Sequence, residues 1–356
     1  MSLHTLSLSQ IEPARLEEFI QSESGASVEQ KLMLVGPRSL HAANQSFVLE
    51  QDGRIVAVCP LFLESAETHG RKYLAALHRG LSLPGLLLSS HLSPRQAHKV
   101  AARAFEVLEA VCKERGVLRA AVNLWRPGGG MDRDVVFAEL KRRGWLEISL
   151  QRQWLDVRLG RDQLKTGFRK GHKAIANKTW ECRVEFFEED SEPEDVEAFL
   201  ENRPLCRKAA FTPEELFFLQ REGNLDYARI CEGKKEIGSG LFTSLHGRVQ
   251  YLKAVAEDDG KLPVHHLLLL SAMQRFHTRG DCSLDLGVVV NGPYLNFIPS
   301  PKHAQIDHFK RGFGGVMQRF DILERFFDRD LFLSQWGDRL QHFADSYFPE
   351  RHAALA

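Results

Sequence analysis

The order hairpin, helix, strand occurs twice along this chain, and few folds can absorb that repetition. In the first half, apolar runs over 46–50 and 55–62 flank Asp52-Gly53, a dipeptide that closes tight hairpins. A helix over 94–115 follows. Ser93 can cap it, Pro94 suits its first turn, Gly116 stops it, and Val100, Phe105, Leu108, Val111 and Cys112 recur near helical spacing. A strand over 118–124 and a helix over 135–143 come next. In the second half, Thr212, Pro213 and Glu215 open a helix over 212–221 in capping-box order, after a first helix over 195–202. Strands over 227–231, 236–244 and 249–255 then precede a helix over 263–278, ended by Gly280, and a strand over 282–286. The expectation is an α/β (α+β) protein of two domains, 1–150 and 151–356, with the boundary near 146–154. Each would hold a mixed, largely antiparallel twisted sheet flanked by helices.

Composition narrows the partners. Lys plus Arg and Asp plus Glu number 47 each in 356 residues, so no global charge argues for nucleic acid or an anionic membrane. No apolar run approaches the ~18 residues of a membrane helix, and the first residues lack the apolar core of a signal peptide. Six scattered cysteines with no C-x-x-C pair read as reduced thiols, not as a zinc site or disulfide frame. The expectation is a soluble, cytoplasmic protein without membrane insertion; the oligomeric state is left open.

Two stretches carry chemistry. Over 309–315 the chain reads Phe309-Lys310-Arg311-Gly312-Phe313-Gly314-Gly315, where cations and glycines alternate with rings. Glycines allow turns and close approach to the main chain, so at least one cation can face a concavity. Over 164–178, Lys165, Arg169, Lys170, Lys173 and Lys178, with His172 as a sixth when protonated, share a short segment containing no acidic residue. Phe168, Ala174 and Ile175 give it an apolar side, so several cations should project together toward an anion. His303, Asp307 and His308 have too few ligands for a metal, and none is expected.

These residues resemble the FemAB-like branch of the GNAT acyltransferase superfamily. Phe309-Lys310 with Phe313-Gly314 is similar to the family's F-K-x-x-F-G signature, and Arg169 with Lys173 is similar to its basic helix. The strands before His265-His266, and Leu284-Asp285-Leu286-Gly287 after them, follow its succession of strand, strand, helix start and strand-plus-glycine. The resemblance implies tandem GNAT-like domains and acyl transfer onto an amine in the second. The donor would be acyl-CoA, most simply acetyl-CoA. The acceptor would be an amino acid, amino sugar or cell-envelope precursor. The alternatives are an aminoacyl-tRNA-dependent transferase that builds peptidoglycan cross-bridges, the one reading in which nucleic acid enters, and a catalytically silent GNAT-like binding protein.

A thioester arrives activated, so rate comes from orientation and oxyanion stabilisation. Lys310 is the expected stabiliser, Asp285 would orient a cation or the acceptor amine, and His265 would be the general base. Arg169, Lys173, Tyr294, Phe309 and Phe313 would hold the acceptor. The donor pyrophosphate would rest at the start of the 263–278 helix, with Gly260, Lys261 and His266 as its contacts.

Overall fold

The computed structural model of the chain describes residues 2–35, 43–78, 80–124, 131–187, 211–256, 262–290, 294 and 298–347. It divides into two units, Met1–Leu150 with Val290–Ala304 and Arg319–Ala356, and Gln151–Val289 with Gln305–Gln318. The first holds a four-stranded antiparallel sheet and a set of mixed strands, and the second holds mixed strands, each with helices beside them, the tandem α/β architecture read from the repeated element order.

In the first unit, the hairpin Phe47–Gln51 and Arg54–Cys59 turns at Asp52-Gly53, both with positive φ, as a D-G turn requires. The hairpin Phe62–Thr68 and Arg71–Ala76 follows, and the second strand lies parallel to Arg119–Leu124. Helix Pro94–Glu114 makes that crossover. Ser93 caps it through Gln96, and its buried face is Val100, Ala104, Phe105, Leu108 and Cys112. The sequence placed residues 319–356 in the second domain, and the structure corrects this. Val316–Phe326 runs antiparallel to Arg119–Leu124, and helix Arg329–Tyr347 follows it. Buried carboxylates fasten the strand: Glu324 to Arg119 at 3.0 Å and to Arg339, and Asp321 to Arg133. A buried carboxylate is tolerable only when paired in this way. Nothing in the local sequence reveals partners so distant along the chain.

In the second unit the sheet order is Arg183–Phe186, Leu225–Glu232, Lys235–Leu245, Arg248–Ala256, Ser283–Val289 and Leu150–Leu155. Every pair is antiparallel except Arg248–Ala256 with Ser283–Val289, which helix Val264–Arg279 connects. Leu268, Ala272, Met273 and Phe276 of that helix are buried with Phe242, Val249 and Leu284 of the sheet in one core. Such burial contributes roughly 1.5–3 kcal/mol per large side chain.

The parallel pair positions the site. Its partners are Arg248 with Ser283, Val249 with Leu284 and Gln250 with Asp285, and there the pairing stops. Beyond that point Arg248–Ala256 stays with its other neighbour as far as Ala256, while Ser283–Val289 stays with Leu150–Leu155 as far as Val289. Two strands that follow different neighbours must part. The result is a slot at their carboxyl ends, with no third strand in it among the described residues. Helix Val264–Arg279 starts at the same end, and no side chain caps its first turn.

Candidate active site

Strand Ser283–Val289 carries the centre of the site, just past the point where the parallel pairing stops. Asp285 is fully buried and is held from two sides. Arg152 Nε lies 2.7 Å from its Oδ2, and the Gly287 backbone N–H donates to its Oδ1 at 2.6 Å. The second bond bends the strand at Gly287, whose φ of +87° is ground that L side chains rarely occupy. A Cβ added at Gly287 would also stand 3.1 Å from Lys310 Nζ.

Lys310 reaches this strand from the last turn of helix Pro301–Arg311 and donates to the Val288 carbonyl at 2.9 Å. Burial takes its pKa down to about 8. Arg152 pushes in the same direction, and the carboxylates of Asp285 and Asp307 oppose. The ammonium is therefore desolvated but not neutralised by direct pairing, and near neutrality it keeps its charge. That is the condition under which a point charge acts most strongly on a nearby developing anion.

The turn after the helix is fixed by close packing. A Cβ on Gly312 would meet His172 Cε1 at 2.0 Å, one on Gly314 would meet the Gly167 carbonyl at 2.6 Å, and one on Gly315 would meet the Trp154 carbonyl at 2.1 Å. These glycines admit the protein's own groups rather than leaving a concavity for a ligand. Phe313 is 1% exposed and meets Phe168 and Phe309 edge-on at 5.4 and 5.3 Å. The expected acceptor contact at Phe313 is thus a core residue here. Phe309 is half-buried in the same cluster.

The basic segment latches this turn. Helix Lys170–Asn177 begins beside it, the Arg169 N–H donates to the Gly312 carbonyl at 2.8 Å, and the Arg169 guanidinium contacts His308. His172 is buried and its Nε2 donates to the Phe309 carbonyl at 2.9 Å. Burial lowers its pKa, so its ring is a neutral latch and not the sixth cation of the segment. Lys173 turns back to donate to the Thr166 carbonyl at 2.8 Å, so only Arg169 of the expected pair reaches the Lys310 helix.

His266 meets His172 and Phe309 edge-on, with ring centroids 4.4 and 4.8 Å apart. Burial and the two neighbouring histidines bring its pKa to about 4. It is a neutral member of the aromatic cluster, which is not the environment of a pyrophosphate contact. His265 lies at the cluster edge, 6.2 Å from the Phe309 ring. Gly260 and Lys261 lie outside the described residues. Tyr294 falls in the first unit. Asp285 lies beside a cation of its own sheet, Arg152. Nothing in the sequence singles out Arg152, which stands between Gln151 and Gln153 in the short strand Leu150–Leu155. Among the described residues no group of His, Cys, Asp and Glu is arranged to hold a metal.

No protein-family model matches the chain, and no curated protein matches it by sequence. Solved structures do resemble it. FemX superposes with a TM-score of 0.60 at 11% identity, covering 94% of this chain and 100% of its own. L-PGS from Bacillus licheniformis gives 0.55 at 13%, covering 93% and 96%. A tandem GNAT protein from the clavulanic acid biosynthesis pathway gives 0.50 at 14%, covering 91% and 98%. The fold is the tandem GNAT fold of the FemX type. At these identities the likeness is one of fold. The parted strands and the half-buried Lys310 belong to the second unit.

Proposed function

We propose that the second unit transfers an acyl group, acetyl in the simplest case, from a coenzyme A thioester to an amino group of a small acceptor. Amino acids, amino sugars and cell-envelope precursors are the acceptor class. The observation that carries this reading is Lys310. Its half-buried ammonium lies on the strand edge where the slot opens, beside a backbone bend that Asp285 maintains.

With the donor laid along the slot, residues 251–256 supply main-chain groups to it and the helix starting at Val264 supplies a positive dipole end. The neutral acceptor amine attacks the thioester carbonyl, forming the C–N bond and leaving an oxyanion. Lys310 stabilises that charge. Collapse breaks the C–S bond, the amine nitrogen loses its proton, and the thiolate leaves as the free thiol. His265 is the base assigned to that proton, and Arg169 meets an acidic group on the acceptor.

A second reading has an aminoacyl-tRNA donor. Arg169, Lys170, Lys178 and Arg311 are all exposed in the second unit, a cluster that suits a polyanion. Incubation with a panel of CoA thioesters and amines, with free thiol as the readout, tests the first reading. Thiol release that requires both substrates supports it. Tight donor binding with no thiol under any acceptor would leave a binding protein. Transfer from aminoacyl-tRNA with steeply salt-dependent RNA binding would favour the second reading.

A further inference from the structure

The ion pair beneath Lys310 has no part in the chemistry above, yet it is the most buried charged feature of the second unit's site. Asp285 is 0% exposed and Arg152 is 8% exposed. Burying two charges is expensive, and a sheet core of this size could be filled by apolar residues at no loss. A site, in contrast, can use such a pair to set a local field. We infer that Arg152 and Asp285 form a positioning pair that fixes both the place and the charge state of the Lys310 ammonium. This rests on the reading of Lys310 as the oxyanion stabiliser.

Place follows from the backbone. Asp285 Oδ1 takes the Gly287 N–H at 2.6 Å, and Lys310 Nζ donates to the carbonyl of the next residue, Val288, at 2.9 Å. The carboxylate thus bends the strand into the shape that presents an acceptor to the ammonium. Register agrees with this. Arg152 faces Val288 across the Leu150–Leu155 pairing, and the ladder slips between Arg152 and Trp154, opposite the Gly287 bend. The guanidinium lies 2.7 Å from Asp285 Oδ2 and closes the array from the neighbouring strand.

Charge state follows from the same array. The charged groups that act on Lys310 are Arg152 from the neighbouring strand, Asp285 from the strand it touches, and Asp307 from its own helix. Asp285 favours the ammonium and Arg152 disfavours it. The pair therefore acts as a set of opposed weights, and removing one weight has a definite sign. Asp285→Asn leaves Arg152 uncompensated, so Lys310 should lose its proton at lower pH. Arg152→Gln leaves Asp285 uncompensated, so Lys310 should hold its proton to higher pH. A pair screened from Lys310 would give no such opposite shifts.

The test needs neither donor nor acceptor. The full chain is labelled with ε-13C lysine, the Lys310 signal is assigned by its loss in Lys310→Met, and its shift is followed from pH 6 to 11. The expected result is a downward displacement of about one pH unit in Asp285→Asn and a similar upward one in Arg152→Gln, with the double variant between them. Displacements of the same sign, or none, would overturn the inference. If Asp285→Asn does not fold, Arg152→Gln alone decides, because an unchanged or lowered midpoint in it contradicts the pair's role. Opposite shifts in a protein that releases no thiol from any donor would leave the pair's role intact and sink the acyltransferase reading instead.

Discussion

The two units share an arrangement and differ in what occupies it. In each, two parallel strands joined by a helix pair over only a few residues, Ala75 with Arg119 and Ala76 with Ala120 in the first, and 248–250 with 283–285 in the second. Beyond that pairing the first unit fills its slot with its own chain. Leu83, fully buried, donates its N–H to the Ala121 carbonyl at 2.8 Å and accepts from the Asn123 N–H at 2.9 Å. Asn123 also holds Ser82, and Gln30 holds the Gly85 carbonyl at 2.7 Å. Gly85 is obligatory there, since a Cβ would stand 2.7 Å from the Asn123 carbonyl. In the second unit no such strap lies between the strands among the described residues. The difference traces to the connection before the helix, which spans 77–93 in the first unit and only 257–263 in the second. A long connection can fold back and satisfy the parted edge, whereas a short one leaves it for a ligand. One slot is filled by the chain itself, and the other holds no such strap among the described residues.

The contrast can be broken most forcefully in the closed slot. Leu83→Ala removes a fully buried side chain, and by the usual scale for such truncations it should cost about 2–5 kcal/mol of stability. At a temperature where the variant remains folded, kcat should not change. A loss of kcat with full stability would mean that the first slot takes part in the reaction. In the open slot the pattern reverses. Lys310→Met keeps most of the stem's packing and removes the charge, so kcat should fall ~10²-fold with little change in Tm. Lys310→Arg should rescue poorly, because a planar fork does not occupy the position of a point charge.

The charge on Lys310 gives a smaller and continuous effect. If the ammonium is the active form, the Lys310 contribution to kcat is full below the folded pKa of about 8 and falls roughly tenfold per pH unit above it. A rate that rises through the same range would make Lys310 a base. Smaller still is Arg169→Ala. The guanidinium is exposed, so its loss should raise the acceptor KM roughly threefold to tenfold, with kcat and Tm kept. Unchanged acceptor kinetics would return Arg169 to its contact with His308 and nothing more.

Local signals in the sequence were reliable where they were self-contained. The Asp52-Gly53 turn, the Ser93 cap, the Thr212–Glu215 capping box and the Gly280 stop each bring their own physics, and each appears where the residues place it. The succession of strands around the 264–279 helix was legible for the same reason. What depends on distant partners was not. Val316–Phe326 carries charges that look solvated until Arg119, Arg133 and Arg339 are brought to them. Arg152 makes sense only beside Asp285. His172 looked like one more cation of a basic run, and only the Phe309 carbonyl and the surrounding rings make it a neutral latch. The glycines at 312, 314 and 315 showed that something approaches the main chain, but not that the approaching groups are the protein's own.

Amide hydrogen exchange with and without acetyl-CoA tests the open and closed slots together. Donor binding in the second unit should slow exchange over 251–256 and at the start of helix Val264–Arg279, and should leave 82–85 and 119–124 unchanged. Protection confined to 82–85 and 119–124 would place the donor in the first unit and contradict the assignment of the active slot.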